Sequence, residues 1–125
     1  MLKVLHVDDE PDIREVAAMS LGLDPEIELT SAASGQDALA ALADGLRPDV
    51  ILLDVMMPNL DGPGTLERLR QQPDLVDTPV IFMTARAQAH EQDRFLSLGA
   101  IAVIVKPFDP MILARQLRDH LAVVR

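Results

Sequence analysis

Residues capable of phosphate or metal chemistry follow the ends of apolar runs in this 125-residue chain. Val4-Leu5-His6-Val7 leads into Asp8-Asp9-Glu10, and Val50-Ile51-Leu52-Leu53 into Asp54. Val80-Ile81-Phe82-Met83 leads into Thr84, and Ile101-Ala102-Val103-Ile104-Val105 into Lys106. Carboxylates held within a few Å of one another repel, so one must protonate or a cation must sit among them. A hard divalent ion with oxygen ligands suits such a group, and Mg²⁺ in particular takes one or two carboxylates and accepts phosphate oxygens. Asp54 closes a strand and needs a partner if buried. It is also the group best placed to act as a nucleophile, as in aspartyl-phosphate chemistry. A phosphoryl group arriving there would meet Mg²⁺, the Lys106 ammonium and the Thr84 hydroxyl, the usual electrostatic arrangement for phosphoryl transfer.

Each residue alone has a plainer explanation. Acidic residues suit a helix start, Thr84 could bond its own backbone, and Lys106 could be an exposed strand end. Lys106-Pro107 is an X-Pro bond, where a cis peptide is accessible. The plain explanations cover single members of the set and not their combination.

The elements that must position these residues are legible as periodicity. The four apolar runs are too short for helices and do not alternate, which is the pattern of parallel strands covered on both faces. A fifth segment, Ile27 to Ala32, alternates apolar with polar and suits a half-exposed edge strand. Between them lie helical stripes: Ile13, Val16, Ala17 and Leu21 after Pro11, ended by Gly22, and Ala38, Leu39, Leu42 and Ala43, closed by Gly45. Leu66 and Leu69 mark a third helix after Gly62-Pro63-Gly64, and Phe95 with Leu98 a fourth ending at Gly99. The last is expected to run from an Asp109 N-cap with Pro110 at its first position, through Ile112, Leu113, Leu117, Leu121 and Val124. The order βα, five times over, with right-handed crossovers, predicts one doubly wound α/β sheet with helices on both faces. Its site should lie beyond the carboxyl ends of the strands.

Composition narrows the function classes. The net charge is −9, from 20 acidic and 11 basic residues, which argues against an electrostatic grip on nucleic acid or an anionic membrane. The absence of Cys excludes disulfides, thiolate metal sites and Cys nucleophiles. No apolar run approaches the ~18 residues of a membrane span, so the expectation is a cytoplasmic protein with no membrane association. His6, His90 and His120 form no constellation. Trp and Tyr are absent and only three Phe are present.

Taken together, the residues resemble the receiver domain of two-component response regulators. The segments that carry the resemblance are Val7-Asp8-Asp9-Glu10-Pro11, Leu53-Asp54-Val55-Met56-Met57-Pro58-Asn59-Leu60-Asp61-Gly62, Met83-Thr84-Ala85 and Val105-Lys106-Pro107-Phe108, with Gly99-Ala100 before the last strand. The intervals from Asp9 to Asp54, from Asp54 to Thr84 and from Thr84 to Lys106 sit where that family puts them, and the likeness spans the whole chain.

The resemblance implies a flavodoxin-like (βα)5 fold with a five-stranded parallel sheet in the order 2-1-3-4-5. It implies Asp54 as phosphoacceptor, charged by a histidine kinase or a histidine phosphotransfer protein. Asp8, Asp9, Asp54 and the backbone carbonyl of Met56 would hold Mg²⁺, while Thr84 and Lys106 would bind the phosphoryl oxygens and Lys106-Pro107 would be cis. The chain would catalyse only its own phosphorylation and slow dephosphorylation, acting as a switch or relay. The phosphodonor would dock on Ile13, Arg14 and Ala17 with Pro107 and Phe108. Met56 and Arg86 would flank the approach of attacking water and lengthen the life of the phosphoryl state.

One position departs from the family. Val103 stands where many receivers carry a Tyr or Phe that turns inward on phosphorylation. With Ile101 and Val105 it makes the last strand unusually apolar, which suits either a surface for a downstream protein target or self-association through that strand and its flanking helices, or a strand that overlying helices simply cover. The expectation for organisation is a single receiver domain over 1–125 with no output domain. The competing readings are a Mg²⁺-dependent phosphohydrolase and a degenerate receiver used as a binding scaffold.

Overall fold

Each apolar run becomes a strand, and each stripe between runs contributes to a helix. The computed structural model describes residues 1–86 and 88–123. The elements are β1 (Leu2–Val7), α1 (Pro11–Leu21), β2 (Ile27–Ala32), α2 (Gly35–Ala43), β3 (Val50–Asp54), α3 (Gly62–Leu69), a 3-10 turn (Pro73–Leu75), β4 (Val80–Thr84), α4 (Ala89–Ser97), β5 (Ala102–Val105) and α5 (Leu113–Val123). The sheet runs β2-β1-β3-β4-β5 with every pairing parallel, as expected. The central strands β3 and β4 are buried at every residue, whereas edge strand β2 exposes Glu28 and Thr30 between half-buried Ile27 and Leu29.

Alternation along the strands divides the core into two layers. Leu5, Val7, Ile51, Leu53 and Phe82 pack with Leu42, Leu66, Leu69 and Phe95 of α2, α3 and α4. On the other face Val4, Leu52, Ile81 and Met83 pack with Ala17, Leu21, Leu113 and Leu117 of α1 and α5. Burial of these side chains is the main stabilising term of the fold. The register pairs Val7 with Leu53, Asp54 with Met83 and Thr84 with Val105. Asp8, Asp54, Thr84 and Lys106 therefore emerge along one edge of the sheet.

Local signals set some helix ends and mislead at others. The Ser34 hydroxyl accepts the Asp37 N–H at 3.0 Å to open α2. The Asp61 carboxylate accepts the Gly64 N–H at 2.8 Å, so α3 starts at Gly62 itself rather than after Gly64. The last helix does not begin at Asp109-Pro110. Asp109 accepts the Met111 N–H on its carboxylate and the Ile112 N–H on its carbonyl, closing a separate turn, and α5 starts at Leu113. Val124 lies outside the described residues.

On α1 the buried stripe is Ala17, Ser20 and Leu21, whereas Val16 is 39% exposed. Ser20 is accommodated because its hydroxyl donates to the Pro110 carbonyl. The edge strand β5 is partly covered: Val103 packs against the α2–α4 core layer and Ile101 against the other. Exposed apolar surface gathers instead in a groove lined by Val16, Met19, Leu23, Pro110 and Met111. Among the described residues no helix is long and apolar enough to cross a membrane.

Candidate functional site

Three strand ends converge on one ammonium group. Lys106, directly after β5, donates from Nζ to Asp8 Oδ2 at 2.8 Å and to Asp54 Oδ1 at 2.9 Å. Asp8 follows β1 and is fully buried, and Asp54 ends β3 with 3% of its surface exposed. Neither carboxylate could sit there without such partners. Asp8 Oδ1 also accepts the Glu10 N–H at 2.9 Å, which folds the β1–α1 loop over the strand end. The Lys106–Pro107 peptide bond is cis.

The electrostatics follow from this crowding. Burial pushes the Asp54 carboxyl up to about 6; the Lys106 hydrogen bond opposes the shift, and the nearby charges of Asp8 and Asp9 add to it. For Lys106 burial works against the charged form, but the hydrogen bonds and charges of Asp8 and Asp54 outweigh it and hold the ammonium above its ordinary range. The edge therefore carries more negative charge than one lysine neutralises.

Asp8, Asp9 and Glu10 can each offer an oxygen within 4.8 Å of the others. Every donor is a carboxylate oxygen, which fits a hard divalent cation such as Mg²⁺ and no soft metal. Met56, two residues after Asp54, is 63% exposed.

Thr84 ends β4, almost fully buried, and its hydroxyl oxygen accepts the Arg86 N–H at 3.1 Å. The Arg86 guanidinium reaches Glu91 Oε1 at 3.2 Å, tying the β4–α4 connection to the first turn of α4. Lys106 N–H in turn donates to the Thr84 carbonyl at 2.7 Å, so the hydroxyl and the ammonium are held on adjacent strands.

The residues expected to dock a partner separate into two sets. Ile13 and Arg14 are half-buried, Pro107 is exposed, and Phe108 is half-buried against the α1/α5 core layer. Ala17 is fully buried under α1 and presents no surface to a partner, which corrects the expectation for that residue. Its methyl faces the core because α1 turns Ser20 and Leu21 inward with it. Val103, where the resemblance implies a switch position, is half-buried and packs on the α2–α4 core layer.

Three features around the site escaped the sequence reading, although Arg14 stood in it as a docking residue and Gly62 within a family segment. Arg14 Nη1 donates to the Asp8 carbonyl at 2.7 Å. Gly62 lies so close to the end of β3 that a Cβ there would meet the Asp54 carbonyl oxygen at 2.5 Å. His6, two residues before Asp8, is fully buried with both ring nitrogens lacking a hydrogen-bond partner. A glycine directly after a strand-end loop could have signalled the second; the first is a bond back across the β1–α1 loop that no periodicity marks, and the third is a lone polar residue inside an apolar run.

A parallel 2-1-3-4-5 sheet carrying buried carboxylates and a lysine at its carboxyl edge defines a signalling receiver, and the chain belongs to the response regulator receiver domain family, whose model matches residues 4–118. The chemotaxis response regulator CheY4 of Vibrio cholerae superposes with a TM-score of 0.87 at 35% identity, over 96% of this chain and 98% of that one. The Francisella response regulator 1452 receiver domain gives a TM-score of 0.86 at 30% identity, with each chain covered over 100% of its length. Among sequence relatives, the phosphate regulon transcriptional regulatory protein PhoB of Pseudomonas aeruginosa is 37% identical over 92% of this chain and 49% of its own length. The probable transcriptional regulator ycf27 of Porphyridium aerugineum is 37% identical over 95% of this chain and 48% of its own. The chain thus spans about half the length of these curated relatives.

Proposed function

We propose that the chain takes a phosphoryl group on Asp54 from a histidine kinase or a histidine phosphotransfer protein and acts as a phosphorylation-controlled switch or relay. The observation that carries this reading is the contact of Asp54 with Lys106 beside Asp8 at the carboxyl edge. An Asp54 oxygen attacks phosphorus, the bond from phosphorus to the donor's imidazole nitrogen breaks with its electron pair passing to that nitrogen, and the ring, already protonated on its other nitrogen, departs as neutral imidazole. Asp8, Asp9 and Asp54, with the carbonyl of Met56, are the residues that would hold Mg²⁺. The ion supplies charge neutralisation for the transferring phosphoryl oxygens.

This chain's own groups do the rest. Lys106 keeps its charge beside two carboxylates and exchanges a carboxylate oxygen for a phosphoryl oxygen. The Thr84 hydroxyl has a proton to donate while its oxygen accepts from Arg86. Met56 and Arg86 flank the water that later hydrolyses the acyl phosphate, so the charged state decays slowly; apart from that self-hydrolysis the chain turns over no metabolite. The whole chain works as one receiver unit in the cytoplasm, without gripping nucleic acid or membrane itself. It passes its state to a downstream protein or a second copy through β5 and its flanking helices, with Val103 in place of a switch ring.

Transfer of radiolabel from a phosphohistidine donor tests the reading, with wild type compared against Asp54→Ala. Uptake by wild type and none by the variant is expected. No uptake by wild type, or equal uptake by both, overturns it.

A further inference from the structure

The anchoring of the acidic loop is uneven. Every polar atom of Asp8 is engaged: its N–H donates to the Ala32 carbonyl, Oδ1 accepts from Glu10 and Oδ2 from Lys106. Its carbonyl oxygen accepts from the Arg14 guanidinium at 2.7 Å. Asp9, the next residue, is half-exposed, and among the described residues no hydrogen bond or ion pair is made by its carboxylate. Asp9 is therefore placed through the chain rather than through its own contacts.

The link between them is one peptide plane. A peptide unit is rigid, with its carbonyl oxygen and the following N–H on opposite sides. A donor that fixes the Asp8 oxygen fixes that plane, and with it the direction in which the Asp9 Cα leaves. Arg14 is built to do so from a firm base. Its own N–H donates to the Glu10 carbonyl at 3.1 Å as part of the first turn of α1, and its side chain is half-buried. From that turn the guanidinium reaches back over the loop to the strand end.

We propose that Arg14 is a positioning residue for the metal site: by holding the Asp8 carbonyl it presents the Asp9 carboxylate to Mg²⁺. The inference rests on the reading of Asp8 and Asp9 as metal carboxylates. It opposes the simplest electrostatic account, in which a guanidinium beside a cation site only repels the cation. If charge alone counted, removing Arg14 would tighten Mg²⁺ binding. If positioning dominates, removing it weakens binding, because groups that orient ligands typically change metal affinity by about ten- to a hundredfold.

The opposite signs make the test decisive. Titration calorimetry with MgCl₂ on the full chain, for wild type, Arg14→Ala and Arg14→Lys, reads the affinity without any phosphodonor. Arg14→Ala should weaken Mg²⁺ binding by about tenfold, and Arg14→Lys, which keeps a charged donor able to reach a carbonyl, should recover most of that loss. Circular dichroism in EDTA confirms that each variant is folded. If Arg14→Ala does not fold, Arg14→Gln takes its place and is expected to weaken binding likewise. Unchanged or tighter binding in the alanine or glutamine variant overturns the inference. Equal weakening in Arg14→Lys does so too. A wild type that takes no Mg²⁺ overturns the metal reading and this inference together, whereas binding by wild type with equal binding by the variants overturns this inference alone.

Discussion

Lys106 donates to Asp54 Oδ1 at 2.9 Å across the width of an intervening strand, since β4 separates β3 from β5 in the sheet. The same ammonium reaches Asp8 beyond β3, so one cation ties together the ends of β1, β3 and β5. Such a group is both a functional device and a stability liability. Lys106→Met keeps the aliphatic stem and leaves two buried carboxylates facing each other. It should destabilise the fold by about 2 kcal/mol at pH 7.5, below the full penalty for breaking a buried pair because water reaches part of the lysine. Asp54→Asn keeps an acceptor for Lys106 and removes a buried charge, and should stabilise by about 1 kcal/mol. Urea melts in EDTA measure both, and shifts of the same sign in the two variants would contradict this account.

The pH dependence of stability contains two opposed contributions. Asp54 is pushed up to about 6 in the folded chain, so its penalty is full above that pH and fades as pH falls toward the ordinary carboxyl value of 3.8. His6 is driven by burial down to about 4, so the folded chain refuses a proton that the unfolded chain accepts below 6.5. Its penalty is absent above that value and grows as pH falls toward 4. Wild type should therefore change little in metal-free stability over this window, while single variants separate the slopes. His6→Leu removes a buried imidazole with two unpartnered nitrogens and should stabilise by about 1 kcal/mol at pH 7.5, the gain rising at pH 5. The gain from Asp54→Asn should shrink over the same range. Denaturation midpoints at pH 5 and 7.5 decide it; a gain for His6→Leu smaller at pH 5 than at pH 7.5 would be incompatible with a neutral buried imidazole.

These contributions also mark what was legible in the chain. Asp54 stood out because a carboxylate ending an apolar strand is locally anomalous, and Ile27–Ala32 was readable as an edge because alternation is a period-two signal. His6 was hidden inside an apolar run, where one polar residue does not break the pattern. Asp109-Pro110 carried a helix-start signature that the chain uses for a turn of its own, because Asp109 caps Met111 and Ile112 before α5 begins. Val16 fits a helical stripe as well as Ser20 does not, yet Ser20 is the buried one, through a bond to Pro110. Periodicity reports a side chain's polarity and not the distant carbonyl that can satisfy it. For the same reason Arg14 was readable as surface and not as a donor to Asp8.

Close approach behind the end of β3 gives a sharper prediction. A Cβ at Gly62 would stand 2.5 Å from the Asp54 carbonyl oxygen, 2.9 Å from Val55 Cα and 3.1 Å from Phe82 Cε1. Two of these are backbone atoms, so the strand end or the start of α3 must shift. Gly62→Ala should destabilise by about 2 kcal/mol and slow phosphoryl uptake by displacing Asp54. Gly45→Ala is the useful contrast: φ there is +110° but nothing lies within 4 Å of the added methyl. It should lower stability by about 1 kcal/mol through backbone strain and leave uptake unchanged. Equal uptake in the two variants would show that Gly62 does not set the position of the acceptor.

Thr84 joins the site to the connection leading into α4. Its oxygen holds the Arg86 N–H at 3.1 Å, and Arg86 holds Glu91 at 3.2 Å. Thr84→Val is close in shape but has no acceptor, so it strands the Arg86 amide at the edge of a buried strand end. The expected loss is about 1 kcal/mol, accompanied by faster hydrogen exchange at Arg86. Thr84→Ser retains the acceptor and should retain the protection. If, as proposed, the hydroxyl serves the phosphoryl site, adding beryllofluoride with Mg²⁺ to wild type should draw it toward Asp54 and strain its hold on the amide, so exchange at Arg86 should accelerate there. The same addition should change nothing at Arg86 in Thr84→Val, where the bond is already gone. Amide exchange read by nuclear magnetic resonance distinguishes the cases. Full protection of Arg86 in Thr84→Val would mean that the hydroxyl does not tether the β4–α4 connection. A wild-type amide indifferent to beryllofluoride binding would mean that the tether is not what phosphorylation releases.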